Sequence, residues 1–577
     1  MFSSVAPAVD VELLKKYNFL ELYSPDGGGN FIMRELFGTL DDRKISDMIL
    51  NQGVMDDFGA LEAIDFKRFE KWRTIEKSCW INRCYFTVML ARTAWLNQDK
   101  SLADKVLNIM LHFGRSCPAP DDLQAHWLRV NKRMTEDYNS KTPAEIALDE
   151  TDVEYVWYDM QVAQRLISFL YAAYFIQDLV KERTGDLTEL KAQLKKHVRV
   201  IADQEAFQQP YCDNHQSLRA IALYWGLPLL ADDADYPAVH KRAFELCSWH
   251  IINEFMDPSG ALFENSPSYH AFVLWHARDF VTLAARRGDA VAPEVLARFE
   301  AAKRALFAYR RADGLALTIN DSYQYDATPL AESLGAENAV NAFAVLKPGG
   351  LAVGNIGDCY AAMDVSNFIG EFSHYHGGKN SPMIMWKKEA FLEDAGCPSY
   401  DDADFPNCRR SDWHTTLLVD SVGDTHAYSM YGFDRWAELE YDDQWQENAD
   451  QSWSFASTLT SNNDNWQNVK WQRKIVLSDH RATLVDKVDS GNQTHVYTLL
   501  YTLAPGVEVN ELQTNCRWQL KKGGLQAELR IDSNSIKCSR LVEISNCQQR
   551  IARKALQLQV EFAMQADLDV VSNLIFK

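Results

Sequence analysis

The chain has 577 residues, 47% of them apolar and 24% charged, with a formal net charge of −21. That length exceeds one hydrophobic core and predicts about two to four domains. The acidic balance excludes a broad basic face for nucleic acid, no run of about 18 apolar residues announces a membrane span, and an anionic substrate would have to meet a local basic pocket.

The opening stretch, MFSSVAPAVDVELLKKYNF, has neither the basic start nor the long apolar run of a signal peptide. Eleven cysteines are scattered without a CxxC pair. Reduced thiols and a cytoplasmic chain are expected, or a periplasmic one if a leader has been removed. Residues 1–345 read as helices. In MQVAQRLISFLYAAYFIQDL, Val162, Leu166, Phe169, Leu170 and Ala173 recur at helical spacing. SCWINRCYFTVMLARTAWL, KRAFELCSWHIINEFM, YHAFVLWHARDFVTLAARR and PEVLARFEAAKRALFAYRR look alike, with short Pro-, Gly- and Asp-bearing links between them. Such a series predicts antiparallel helix pairs, as in an (α/α) toroid. From about residue 346 the runs become short, β-branched and aromatic. Asp479-His480 lies between two apolar runs and predicts a hairpin. Helices followed by strands predict separate domains: 1–345 helical, 346–500 a central antiparallel β-sandwich, and 501–577 a small β domain or a continuation of the sandwich.

Three clusters in the helical half carry candidate chemistry. Asp213-Asn214-His215 precedes an apolar helix, and Glu264-Asn265-Ser266-Pro267-Ser268-Tyr269-His270 opens another. Asp213 or Asn214 also suits an N-cap, and Ser266-Pro267 is a good helix start in its own right. Tyr323 and Tyr325 in NDSYQYD fit loop packing better than a site. A lone histidine such as His250 or His276 is more often a satisfied core residue. The densest cluster lies in 371–420. His374-Tyr375-His376 alternates, so a strand would send both imidazoles to one face. Asp394 closes one apolar run and His414 opens another. Tyr400, Arg409 and Arg410 lie between them, and Arg is the side chain best suited to a carboxylate or sulfate.

In order, these motifs are Asn-His before a helix, ENSPSYH, HYHGGKNS, EDAG followed by a Tyr, and Arg410-Ser411-x-x-His414-Thr415-Thr416. Together they resemble the heparinase II/III family of polysaccharide lyases, which includes oligoalginate lyases. The resemblance covers most of the chain and implies an N-terminal (α/α) toroid followed by antiparallel β-sandwich domains. It implies Asn214 and His215 beside a uronate carboxylate, Tyr269 as the catalytic tyrosine and His374 as the catalytic histidine. It implies His376, Asp394 and His414 as ligands of a structural divalent metal, zinc first, with manganese or calcium as alternatives. Substrate contacts are expected from Glu264, Lys379, Tyr400, Arg409 and Arg410. Gly377-Gly378-Lys379-Asn380 and His414-Thr415-Thr416 depart from the family's usual residues, which leaves substrate choice open.

The implied reaction is β-elimination, in which a base removes the C5 proton of a uronate and the O4 bond breaks to leave a 4,5-unsaturated product. Tyrosine, with an ordinary pKa of about 10, and histidine, with about 6.5, are the proton-transfer candidates. One tyrosine could do both jobs, or His374 could abstract and Tyr269 donate. The expected partner is a uronate-containing oligo- or polysaccharide of the heparan sulfate, hyaluronan or chondroitin type, with alginate oligomers second; self-association is left open. Other classes remain: a cupin-type enzyme with a reactive metal on His376, Asp394 and His414, a toroidal glycoside hydrolase using Glu264 and Asp213, and a non-catalytic glycan-binding protein.

Overall fold

The structure, a computed structural model, describes residues 2–17, 46–47, 50, 61–66, 82–140, 156–335, 342–369, 374–398, 403–427, 432–547 and 552–577. The chain divides into two compact units. Unit 1 comprises Met1–Glu254, Phe272–Phe299 and Glu332–Gly335, and unit 2 comprises Phe255–Ala271, Glu300–Ala331 and Ala336–Lys577.

The helices used below are α1 (Val11–Lys16), α2 (Tyr85–Asn97), α3 (Lys100–Ser116), α4 (Leu123–Ser140), α5 (Met160–Ile176), α6 (Thr184–Phe207), α7 (Asn214–Gly226), α8 (Tyr236–Glu254) and α9 (Pro267–Arg287). Within unit 1 they pack largely on their chain neighbours: α2 on α3, α5 on α6, α6 on α7 and α7 on α8. Helix α5 also meets α2 and α7. Its predicted apolar stripe is one part of a helix buried nearly all round, from Met160 to Ile176 apart from Tyr174. A helix buried on nearly every side belongs at the centre of its layer. Among the described residues no helix is long and apolar enough to cross a membrane, and the ten described cysteines are free.

Unit 2 is built on antiparallel sheets. The first runs in simple chain order: β1 (Phe343–Leu346), β2 (Leu351–Ile356), β3 (Cys359–Asp364), β4 (Ser381–Trp386) and β5 (Glu389–Leu392). The second has nine strands among the described residues, with β9 (Ala437–Tyr441) and β10 (Gln446–Glu447) on β11 at one edge and β16 (Arg517–Lys522) and β15 (Glu508–Gln513) at the other. Its centre is β11 (Trp453–Ser461), β12 (Lys470–Ser478), β13 (Arg481–Asp489), β20 (Leu568–Phe576) and β17 (Leu525–Asp532), in that spatial order. The third places β14 (Tyr497–Thr502) between β6 (Leu417–Val419) and β19 (Arg553–Phe562). Alternation sets the inward faces: β12 buries Trp471, Arg473, Ile475 and Leu477, and β13 buries Ala482, Leu484, Asp486 and Val488. Side chains from all three sheets share one core with Trp445, Trp466, Trp471 and Trp518. The Asp479-His480 hairpin forms as expected, with Ser478 paired to Arg481.

The boundary expected near 345 falls beside β1, but residues 255–271 and 300–331, expected in the helical domain, group with the sheets. Residues 501–577 are no separate domain. Strand β20 pairs with both β13 and β17, and β19 pairs with β14, so the segment continues the sandwich.

Candidate active site

In unit 2 the candidate site is assembled by short irregular segments held at their ends by helix and sheet. Ser266 ends the ENS stretch and Pro267 starts α9. Ser266 Oγ accepts a hydrogen bond from the Tyr269 amide at 3.3 Å, the bond an N-cap makes to the third helical residue. The same hydroxyl donates to the Asp321 carbonyl at 3.0 Å. Three asparagines with left-handed backbones turn the chain here, Asn265 (φ 59°), Asn320 (φ 56°) and Asn380 (φ 60°); asparagine is the side chain that best tolerates this region after glycine. The Asn320 amide joins them, donating to the Asn265 carbonyl at 2.7 Å and accepting from the His376 amide at 2.9 Å.

His374, Tyr375 and His376 lie on backbone outside the strands. Their side chains nevertheless separate. Tyr375 turns into an aromatic group with Phe368 and Phe433, while both imidazoles reach one carboxylate. Asp321 Oδ2 stands 2.9 Å from His374 Nδ1, and Oδ1 stands 2.6 Å from His376 Nε2. The other nitrogen of His374, Nε2, lies 3.1 Å from Glu264 Oε2. The ring of Tyr269 stacks on that of His374, with centroids 3.6 Å apart and planes inclined by 18°. All five side chains are buried. Burial opposes charge on His374, but the hydrogen bonds to Asp321 and Glu264 outweigh it and push its pKa up to about 9. Burial likewise opposes charge on Asp321, and the two imidazoles hold it well below the usual carboxylate range.

The other residues expected in the site lie as follows. His414 Nδ1 is 2.9 Å from Asp394 Oδ2, and its Nε2 is 2.9 Å from the Cys408 carbonyl. The rings of His376 and His414 are 5.9 Å apart. Gly378, at φ 75°, lets this happen, because a Cβ there would stand 2.5 Å from the Cβ of His414. Nδ1 of His376 is buried without a hydrogen-bond partner, which leaves one nitrogen for a ligand. However, His376 is committed to Asp321 and His414 to Asp394 and a carbonyl. Among the described residues no group of three or more His, Cys, Asp or Glu stands ready to hold a metal ion. The expected set of His376, Asp394 and His414 therefore does not fit a metal as placed.

Lys379, expected to face substrate, is fully buried instead. Its Nζ lies 2.6 Å from Asp364 Oδ2 and bonds Asn320 Oδ1 and Ser366 Oγ at 2.9 and 3.1 Å. Arg409 is also buried, over the Phe433 ring and donating to the Tyr375 carbonyl at 3.3 Å. Both are cations inside the protein, and Lys379 is met there by a carboxylate and two further oxygens. Arg410 is exposed and paired with Asp412. Glu264, expected to touch substrate, is a buried partner of His374. Tyr400 lies outside the described residues. Tyr323 and Tyr325 are packing residues, the latter donating to the Pro267 carbonyl at 3.2 Å.

Asn214 and His215 belong to unit 1. Asp213 is the N-cap of α7, its Oδ1 accepting from the His215 amide at 2.7 Å. His215 Nδ1 meets Asp159 Oδ2 at 2.5 Å. Asp159 also pairs with Arg219, whose Nε bonds Glu205 Oε1 at 2.5 Å. Burial opposes the charge on His215, and Asp159 and Asp213 overcome it, lifting its pKa to about 9. His250 and His276 are core residues, bonded to Glu254 and Ser217 at 2.8 and 3.0 Å. Sequence reasoning missed Asp321 and Asp159. The first stands in NDSYQYD, a segment noticed only for its tyrosines.

The family model described as Heparinase II/III-like, C-terminal, matches residues 339–559. Among solved structures, a heparinase III is similar over 97% of this chain and 88% of its own, at 14% identity and a TM-score of 0.69. The heparan sulfate lyase of Pedobacter heparinus is similar over 98% and 87%, at 14% identity and a TM-score of 0.60. A chondroitin AC lyase of Streptomyces coelicolor A3, solved with chondroitin sulphate, is similar over 98% and 82%, at 9% identity and a TM-score of 0.53. No curated protein matches in sequence. The fold class is thereby an (α/α) toroid followed by an antiparallel β-sandwich. Residues 339–559, the stretch matched by that family model, hold His374.

Proposed function

We propose that the protein is a polysaccharide lyase that cleaves uronic-acid-containing glycosaminoglycans by β-elimination, leaving 4,5-unsaturated uronate ends. The observation that carries this is the stack of Tyr269 on His374, with His374 set between Glu264 and Asp321. Removing the proton α to a carboxylate builds negative charge in the transition state, so the site needs a fixed positive charge and a separate proton carrier. With both ring nitrogens facing carboxylates, His374 donates from both and is a cation at neutral pH. That makes it an electrostatic stabiliser, and proton transfer falls to Tyr269. Once its own proton has passed to solvent, the Tyr269 phenolate takes the C5 proton, and the resulting phenol gives it to O4 as the C4–O4 bond breaks. His374, pressed against the ring, favours the negative charge that appears there.

The test is incubation with heparan sulfate, hyaluronan, chondroitin sulfate and alginate, as polymers and as oligomers, while following the ultraviolet absorbance of the unsaturated product. A rise is expected on at least one glycosaminoglycan. No rise on any uronate glycan would sink the proposal. A second reading, cleavage of alginate oligomers, is favoured by one observation. Of Lys379, Arg409 and Arg410, the basic side chains that favoured a glycosaminoglycan, the first two are buried within the protein.

A further inference from the structure

Resting on the lyase function proposed above, we infer that Asp159 is a positioning residue. It fixes the imidazole of His215 so that Nε2–H is presented to an anionic group of the substrate.

Asp159 stands immediately before α5, in the N-cap position, and aspartate is among the best caps. Its side chain nevertheless makes no capping hydrogen bond, and its backbone sits at φ 52°, ψ −139°. A side-chain-bearing residue rarely adopts that conformation, and such strain persists only where the surroundings impose it. The carboxylate is committed elsewhere. One oxygen meets His215 Nδ1 at 2.5 Å and the other pairs with Arg219. Arg219 is itself held by Glu205 Oε1 at 2.5 Å, Gln208 Oε1 at 2.9 Å and the Tyr211 hydroxyl at 3.3 Å. Arg219 therefore aims Asp159, and Asp159 aims His215.

Along the charged chain His215–Asp159–Arg219–Glu205 the imidazole reaches outward: its side chain is 40% exposed, against 15% for Asp159, 1% for Arg219 and 0% for Glu205. A proton on Nδ1, held by Asp159, leaves Nε2 as the second donor of a charged ring, and a charged ring is what the neighbouring carboxylates favour. Neither helix needs Asp159 for its own start. Asp213 caps α7, and α5 receives no cap from it.

The test is a double-substitution cycle on the full chain, with kcat and KM read from product absorbance and the fold from thermal melting. Asp159→Asn should lower kcat on the order of 10²-fold, with Asp159→Glu retaining more kcat than Asp159→Asn. In a His215→Ala background, Asp159→Asn should cause no further loss, because the partner it acts through is gone. An active wild type with unchanged turnover in Asp159→Asn overturns the assignment. So does a loss that multiplies that of His215→Ala, or an Asp159→Glu variant no better than Asp159→Asn. A wild type silent on every uronate glycan overturns the lyase function and the assignment together.

Discussion

Both ring nitrogens of His374 face carboxylates, and the proposed mechanism therefore gives proton transfer to Tyr269. Tyr269→Phe removes one oxygen and leaves the stacked ring. It should lower kcat by about 10²- to 10⁴-fold, with a melting temperature close to that of the wild type. The two raised histidines also set a pH dependence. His374 and His215 fold with pKa values near 9, above the ordinary value of about 6.5. A raised folded pKa contributes stability that is complete below the unfolded value and disappears as pH climbs through the folded one. The melting temperature should therefore fall between about pH 6.5 and 9, and kcat/KM should fall on the same alkaline side; a flat profile there would contradict the cationic assignment. The depressed carboxylates act at the other end. Asp321 and Asp159 contribute above the ordinary carboxylate value and lose that contribution as pH drops through their lower folded values. At this scale Tyr269 and His374 could be read from SPSYH and HYH. Their carboxylate partners could not. Asp321 lies 53 residues from His374, and Asp159 lies 56 from His215; an aspartate at such a distance carries no local signal. Lys379 misled for a related reason, since its partner Asp364 belongs to a strand on another turn of the chain.

Strands and helix starts were more readable, because alternation and caps are local. Ser266-Pro267 marked the start of α9, and Asp479-His480 marked the turn between β12 and β13. The β4–β5 turn was harder, because Lys387 and Lys388 occupy it at φ 48° and 69° without a glycine or asparagine to announce it. What joins elements was hidden. Arg473 on β12 faces Asp486 on β13 across the ladder, with both side chains fully buried. Its Nη1 also donates to the carbonyls of Asn380 and Thr415, at 2.9 and 2.7 Å. One guanidinium thus holds the loop after Lys379 and the residue after His414. Arg473→Ala would leave Asp486 as an unpaired buried charge, and should destabilise the protein by about 3–5 kcal/mol, measured by urea unfolding. Replacing both partners by apolar residues of similar volume should recover much of that loss.

Over the whole molecule the net charge of −21 repels a polyanion. Screening weakens that repulsion, since the Debye length shrinks from about 30 Å at 0.01 M salt to about 8 Å at 0.15 M. KM for a long sulfated polymer should therefore fall as salt is raised across this range, and KM for a short, weakly charged oligosaccharide should change less. A KM that rises with salt from the start would point to local cations dominating the encounter. The order of strands in the nine-stranded sheet bears on how the protein is made. Strand β20 fills the place between β13 and β17, so a nascent chain cannot close that sheet until residue 576 has emerged from the ribosome. Helices that pack on their chain neighbours can settle during synthesis, whereas the unit carrying Tyr269 and His374 is finished only afterwards. In that interval the apolar edges of β13 and β17 stand open, and it is then that a chaperone would have most to protect.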